Sequence, residues 1–266
     1  MSLVPFVLLT NRAYALQRSG GVVFSGNIKR ITHIDLDPPS ISLHYLTQIF
    51  SYLDQDIITC WNNQCPRASG QTCHHLTSDR VTLILSALNG SAPDVFGEGS
   101  ETDFKQLTDS QRADLFITWQ WVKNRIWRLA AIHGLTTEDG APELGVGYVV
   151  SAAMTTVAIC RRLPLSAMES HGTGFVSDDS LLNAIADDQL EKLYDIGSIL
   201  TNLLSSPSMA LQATLVSTIQ STSWSDTLES LYSFLSLHRG GTNDFASQLA
   251  QAIKIAGSVR LLTGVS

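Results

Sequence analysis

The chain has 266 residues, of which 44% are hydrophobic and 15% are charged, and its formal net charge is −7. A chain of this size can bury a self-sufficient core, and its apolar content excludes disorder of the chain as a whole. The acidic balance lacks the basic excess that attracts nucleic-acid phosphates, so we expect no direct, sequence-specific DNA binding by this chain.

Cysteine usage and the distribution of apolar residues indicate the compartment. The chain has 4 cysteines, which are too few for a disulfide-stapled secreted fold of this length, so we expect a reduced, intracellular protein. The apolar N-terminus lacks a basic region and contains Pro5, which disfavours a signal peptide. The longest uncharged stretch, 144–160, is at the lower limit of membrane-spanning length, so we predict a buried helix there and no membrane association.

The predicted regular elements are helices. Residues 1–40 contain turn formers and no sustained hydrophobic period, and we interpret them as a poorly ordered arm. Strand signals are almost absent beyond this arm, so the predicted fold class is all-α, with one helical domain over 41–266. Ser78 and Asp79 resemble a helix N-cap, and the polar segment 62–75 is predicted to be a loop. Helical spacing of apolar residues predicts helices at about 41–53, 78–90, 110–133, 147–160, 180–204, 208–220, 225–238 and 244–256.

The helix predicted at 110–133 has the clearest apolar stripe. Gly134 is a natural stop for this helix, because glycine readily adopts the left-handed conformation of a C-terminal cap. Lys123 lies off the stripe, so we expect it on the surface and expect Trp119 in the core. The residues of the stripe follow one another at spacings of three or four and are Leu115, Trp119, Val122, Ile126, Leu129 and His133.

One polar segment concentrates residues with metal-ligand chemistry. Structural zinc sites favour Cys-x2-Cys pairs, because two thiolates then reach one ion from a single tight turn. The cysteines of this segment are separated by four and seven residues, so we interpret it as a loop beside a buried cysteine and expect no metal. The alternative is a metal site, whose candidate ligands are Cys60, Cys65, Cys73, His74 and His75.

Glu169 and His171 are the nearest approach to an acid/base pair. A carboxylate can orient an imidazole and raise its pKa, but residues two apart do not face each other on a helix. No Gly-x-Ser-x-Gly nucleophile motif accompanies them. We therefore interpret 168–174 as a turn and expect no catalytic residue.

Short sequence blocks beyond residue 95 are more informative than composition. They are FGEGS at 96–100, QRADL at 111–115, TWQWV at 118–122, NRIW at 124–127, HGL at 133–135, MExHGxG at 168–174, EKLYDI at 191–196 and LHRGG at 237–241. In the same order, these blocks resemble the regulatory region of fungal zinc-cluster transcription factors, and the resemblance covers about 41–260.

The resemblance implies an all-helical regulatory domain in a nuclear protein that controls metabolic or secondary-metabolite genes. It implies as partners other transcription regulators or a second copy of the same protein. A small-molecule effector is a further expectation, and no cofactor is expected.

The chain departs from this family in two respects. The family's DNA-binding cluster needs six cysteines within about thirty residues, whereas this chain has 4 in all. In the family the turn at 171–174 runs almost directly into the block at 191–196, whereas here 176–189 intervene. Because this segment begins with Val-Ser and ends with Gln, which splice-site sequences can encode, we interpret it as a retained intron. The alternative is an acidic helix extension that buries Leu181, Leu182 and Ile185.

We therefore expect a nuclear transcription regulator of the zinc-cluster class that lacks its own DNA-binding cluster and is not an enzyme. The alternative is a helical scaffold repurposed as a biosynthetic enzyme or a small-molecule-binding protein. Its acid/base residues would be Glu169, His171 and Asp195.

Overall fold

The computed structural model describes 38–90, 106–137, 139–169, 179–205, 223–237 and 244–263, with side chains at 41–90, 106–137, 139–168, 189–205, 225–237 and 244–256. In this part of the chain every regular element is a helix and no strand occurs, which confirms the all-α class. The α-helices are α1 (Pro38–Ser51), α2 (Gln55–Trp61), α3 (Ser78–Gly90), α4 (Asp109–Ile132), α5 (Val146–Arg162), α6 (Leu165–Glu169), α7 (Asp179–Leu204), α8 (Ser223–Leu237) and α9 (Asp244–Thr263).

The described residues belong to two compact units. Unit 1 contains α1, α2, α3 and the segment Leu129–Thr136, which includes the end of α4. Unit 2 contains the segment Asp109–Arg128 of α4 together with α5 to α9. The sequence pattern gave no indication of this division, because helical periodicity reports a buried face and not the unit in which that face is buried.

In unit 1, α2 has well-defined caps at both ends. Asp54 precedes the helix, and its Oδ1 accepts a hydrogen bond from the Ile57 backbone N–H at 3.1 Å. After the helix, Asn63 adopts a left-handed conformation with φ 54°, and the backbone N–H of Gln64 donates to the Thr59 carbonyl at 2.9 Å. This arrangement is a Schellman motif, which reverses the chain directly after the helix.

The long loop of unit 1 is bound to the start of α2 through Arg80 of α3. The Arg80 guanidinium donates to the Asp54 carboxylate and to the carbonyl oxygen of His75, and it lies 3.4 Å from Asp56 Oδ2. His75 Nδ1 in turn lies 3.1 Å from Asp56 Oδ1. These contacts fix the end of the loop against the α2 N-terminus.

In unit 2, α7 packs against α5, α8 and α9, and α8 also packs against α5 and α9. The absence of a side chain at Gly197 of α7 permits this close packing, because a Cβ there would lie 3.0 Å from Leu249 Cδ1. The Trp127 indole N–H of α4 donates to the Gly145 carbonyl at 3.0 Å, just before α5 begins. The indole therefore fixes the start of α5 against α4.

Most of the predicted helices are present within one to three residues of their predicted ends. α1 begins at Pro38 and not at residue 41, because proline is tolerated in the first helical turn, where backbone N–H groups lack intrahelical partners. The cap of α3 is Thr77 and not Ser78, since Thr77 Oγ1 accepts from the Arg80 backbone N–H at 3.3 Å. The helix predicted at 208–220 and the arm over 1–37 lie outside the described residues.

The apolar stripe of α4 is largely confirmed, and Lys123 is the exception. Trp119 is buried, as predicted, and so are Trp121 and Trp127. Lys123 is 7% exposed, so its predicted surface position is wrong. The reason is that α4 is buried on more than one face, whereas a single apolar stripe predicts a helix with one solvent-exposed side.

The uncharged stretch at 144–160 forms most of α5. Its buried residues include Val149, Val150 and Ile159, as expected for a helix that packs within the protein. Among the described helices, none combines the length and the apolarity that crossing a membrane would require.

Candidate functional site

Three of the five candidate metal ligands meet in unit 1, together with a residue from the end of α4. Each of the residues Cys60, Cys65, Cys73 and His133 places one potential ligand atom within 4.8 Å of those of the other three. Cys60 Sγ lies 3.5 Å from Cys73 Sγ, and Cys65 Sγ lies 3.5 Å from His133 Nε2. We call these four residues the thiol–histidine cluster.

Local structure explains how two cysteines separated by four residues, Cys60 and Cys65, come to lie near each other. Cys60 occupies the last turn of α2, and the Schellman motif after Trp61 turns the chain back so that Cys65 lies near it. Cys65 then precedes a short 3-10 helix, Pro66–Ser69, which ends at Gly70 with φ 78°. The chain reversal that a tight Cys-x2-Cys turn provides in structural zinc sites is provided here by the end of a helix.

His133 is the ligand candidate that sequence reasoning missed. It is the residue directly after α4, and Gly134 follows it with φ 69°, as expected for a C-terminal cap. We had placed His133 on the apolar stripe, because it continues the spacing of Leu129. A histidine at a helix end before glycine was the signal present, but 60 residues separate it from Cys73 and no local spacing pattern connects them.

The two loop histidines are not part of the cluster. His74 is exposed, and His75 contacts Asp56 through Nδ1 at 3.1 Å. Their proximity in sequence to Cys73 suggested both as ligands. In the structure, neither histidine contributes a ligand atom to the group formed by the three sulfurs and His133.

The thiols of the cluster have unequal environments. Burial, together with hydrogen bonding to Cys73, raises the pKa of Cys60 far above its ordinary value. For Cys73, burial acts in the same direction, but hydrogen bonds from the His75 and Leu76 backbone N–H groups and from Cys60 outweigh it, so the pKa of Cys73 is lowered. All four cysteines of the chain carry free thiols.

A second group of polar residues is buried in unit 2, where α4 meets α7. The Trp121 indole N–H donates to Asp195 Oδ2 at 2.8 Å, and Arg125 lies 3.5 Å from the same oxygen. Lys192 Nζ donates to Thr118 Oγ1 at 2.8 Å and lies 3.5 Å from Asp114 Oδ1. We call this group the α4–α7 charge network; its members are Asp114, Thr118, Trp121, Arg125, Lys192 and Asp195.

The charges of this network compensate one another. Burial lowers the pKa of the Arg125 guanidinium, and the negative charge of Asp195 opposes this shift. Both cations of the network also lie near the Trp121 ring. Arg125 Cζ is 6.0 Å and Lys192 Nζ is 5.9 Å from the ring centre. Two cations and two carboxylates are therefore buried without a net charge, which is the condition under which burial of ions is tolerated.

Of the three proposed acid/base residues, only Asp195 has a described side chain. Asp195 belongs to the charge network, where Trp121 and Arg125 engage its carboxylate. The side chain of Glu169 and all of His171 lie outside the described residues, so a role for this pair stays a prediction.

Comparisons of the chain with protein-family models, with curated proteins and with solved structures find no match.

Proposed function

We propose that this chain is a nuclear transcription regulator of the fungal zinc-cluster class that acts on metabolic or secondary-metabolite genes without contacting DNA specifically. It acts through other transcription regulators or through a second copy of itself. The observation that carries the proposal is the ordered set of sequence blocks between 96 and 241.

The α4–α7 charge network supports this proposal, because it gives the shared blocks a physical purpose. Its six residues all lie within four of the blocks, at 111–115, 118–122, 124–127 and 191–196. Buried ion pairs need well-defined partners, so a domain that uses them keeps the residues at both ends of each contact. The blocks on α4 and α7 are thus explained as the two halves of one contact in unit 2.

The charge distribution favours protein partners over DNA. The sequence between 163 and 238 contains nine acidic residues. Its only basic residue other than histidine is Lys192. Lys192 itself is buried against Asp114 and Thr118. A surface of this sign repels phosphate, so recruitment to a promoter requires a partner that binds DNA.

A tethering experiment tests the proposal directly. The chain is fused to a heterologous DNA-binding domain in a fungal host, and reporter transcription is compared with that of the DNA-binding domain alone. We expect a change in transcription, and we expect Asp195→Ala to abolish it while Asp226→Ala, at an exposed position of α8, retains it. Reporter output equal to that of the DNA-binding domain alone, at equal protein abundance, contradicts the proposal.

The absence of direct DNA binding has its own measurement. Fluorescence anisotropy on promoter fragments at near-physiological salt should show no sequence-dependent affinity, since low salt alone would exaggerate nonspecific attraction. A nanomolar, sequence-dependent dissociation constant for the purified chain overturns this part of the proposal.

Small-molecule binding is a second candidate function, and one turn of α4 favours it. Gln120 Oε1 and Asn124 Oδ1 are buried and have no hydrogen-bond partner among the described residues. Lys123 is buried beside them in the chain, and burial lowers the pKa of its ammonium to about 8. Buried polar atoms without partners are rare and commonly indicate a bound water or ligand.

Native mass spectrometry tests this second candidate. If the turn binds a small molecule, the chain purified under mild conditions carries a mass that denaturation releases. We expect Asn124→Leu to lose the additional mass and Asn202→Leu, at an exposed position of α7, to retain it. Wild-type protein without any additional mass contradicts small-molecule binding at this turn.

A further inference from the structure

The thiol–histidine cluster has the spacing of a tetrahedral metal site. With metal–sulfur bonds of about 2.3 Å and a metal–nitrogen bond of about 2.0 Å, neighbouring ligand atoms of a tetrahedral site are about 3.5–3.8 Å apart. Cys60 Sγ and Cys73 Sγ are separated by 3.5 Å, as are Cys65 Sγ and His133 Nε2, and all ligand atoms lie within 4.8 Å of one another. A central ion therefore requires only small side-chain shifts.

The hydrogen bond of His133 prepares the ring for metal binding. His133 Nδ1 lies 2.8 Å from the Leu129 carbonyl oxygen, which can only accept a hydrogen bond, so Nδ1 carries the proton. In the neutral ring the lone pair is then on Nε2, the atom that faces Cys65 Sγ. A backbone carbonyl that holds the other ring nitrogen is the usual outer contact of a metal-ligating histidine.

The cysteines also have supporting contacts. The backbone N–H groups of His75 and Leu76 are hydrogen-bonded to Cys73 Sγ, an outer contact that fixes the position of this sulfur. Cys60 and Cys65 are each only 3% exposed. Without an ion, buried thiols of this kind pack as small apolar groups. A bound ion would explain why three of them lie so close together.

We propose that Cys60, Cys65, Cys73 and His133 bind one Zn²⁺ ion as a closed structural site. Three soft thiolates and one imidazole in tetrahedral arrangement favour zinc over magnesium and calcium, which require oxygen ligands. Four protein ligands leave no position for a water molecule, so the site stabilises the fold and activates no nucleophile.

The ion would connect three segments of unit 1. These are the last turn of α2, the loop that carries Cys65 and Cys73, and the end of α4 at His133. The inference is independent of the proposed function, because it rests only on contacts within unit 1. It differs from the zinc cluster of the resembling family, which needs six cysteines in one short segment.

The first test is the zinc content of the full chain, purified without a histidine tag under reducing conditions. We expect about one zinc per chain in the wild type and less than about a tenth of that in Cys65→Ser and His133→Ala. Two matched controls, Cys160→Ala and His75→Ala, should retain the wild-type zinc content, because Cys160 is buried in unit 2 and His75 contacts Asp56. Wild-type protein without zinc, or loss of zinc in both controls, overturns the proposal.

A second test does not depend on the folding of a ligand-deleted variant. Wild-type chain stripped of metal is titrated with Co²⁺, and His133→Cys is titrated in parallel. We expect the visible spectrum of tetrahedral cobalt with thiolate charge-transfer bands in both proteins, and stronger charge-transfer bands in the variant, which supplies a fourth thiolate. An octahedral spectrum, or a spectrum without thiolate charge-transfer bands in the wild type, overturns the proposal.

Chelation provides a thermal readout of the same site. Removing zinc should lower the Tm of the wild-type chain by about 5–10 °C, because an ion that binds only the folded state stabilises it. The Tm of Cys65→Ser should not respond to the chelator. Equal Tm values for wild-type chain with and without chelator contradict a structural role.

Discussion

At the scale of single residues, Lys123 is a buried cation on α4. Its side chain is 7% exposed, and burial lowers the pKa of its ammonium from 10.5 to about 8. Among the described residues no charge opposes this shift. Below pH 8 both the folded and the unfolded chain carry the proton, and the folded chain bears the full cost of burying the charge.

We predict that Lys123→Met raises the free energy of unfolding at about pH 7 by about 1–3 kcal/mol. The gain should shrink at about pH 10, because the folded wild-type lysine is then neutral while the unfolded one still binds a proton, which stabilises the wild type. Urea unfolding of both proteins at the two pH values measures this difference. An equal gain at both pH values would show that the lysine is not buried as a charge.

Asp195 is the residue on which two contacts of the α4–α7 charge network converge. We predict that Asp195→Ala lowers the free energy of unfolding by about 3–5 kcal/mol, because it removes an ion-pair partner of Arg125 and the acceptor of the Trp121 N–H. As a control, Asp226→Ala in the first turn of α8 should cost less than about 1 kcal/mol. Comparable urea midpoints for the two variants would contradict a structural role for the network.

The sequence indicated the sulfurs of the thiol–histidine cluster and not its histidine. Cys60, Cys65 and Cys73 are close in the chain, so their chemistry was visible although their spacing was unusual. His133 joins them only through the fold of unit 1, which no local pattern encodes. Lys123 escaped prediction for a related reason, since a charge off an apolar stripe is assigned to solvent unless a second buried face is known.

At the scale of elements, periodicity predicted the longer helices well. α4, α5, α7 and α8 each span at least four turns, so their apolar residues recur often enough to reveal a period. α2 has 7 residues and was missed, because less than two full turns show no recurrence. Its N-cap Asp54 was the only local signal, and one capping residue does not by itself predict a helix.

The structure describes the segment 176–189 only in part. Its residues from Asp179 onward form one continuous helix with the rest of α7, whereas the side chains of Leu181, Leu182 and Ile185 lie outside the described residues. Gln189, the last residue of the segment, is buried with Oε1 lacking a hydrogen-bond partner among the described residues.

We predict that deletion of 176–189 leaves the free energy of unfolding unchanged within about 0.5 kcal/mol or raises it, as expected for a segment without buried apolar contacts. Leu190→Ala serves as the comparison. Because Leu190 is buried in α7, this substitution should lower the free energy of unfolding by about 2–5 kcal/mol. Chemical denaturation measures both variants. A loss of several kcal/mol on deletion would support the alternative, because each buried leucine or isoleucine contributes about 1.5–3 kcal/mol.

At the scale of the whole molecule, both units bury apolar helix faces, and each unit has a further kind of contact. Unit 2 has buried apolar helix faces and a compensated charge network between α4 and α7. Unit 1 has shorter helices, a long loop and the thiol–histidine cluster. The proposed zinc ion would add a cross-link among three segments of unit 1, so the cluster would stabilise this unit.

Hydrogen–deuterium exchange of the full chain, with zinc and after chelation, tests this account most directly. We predict that chelation accelerates amide exchange in α2, in the loop that carries Cys65 and Cys73 and in the segment Leu129–Thr136, because the proposed ion would join these parts of unit 1. Exchange in α7 and α8 of unit 2 should stay the same. Identical exchange throughout the chain with and without zinc, or acceleration confined to unit 2, would contradict a structural metal site in unit 1.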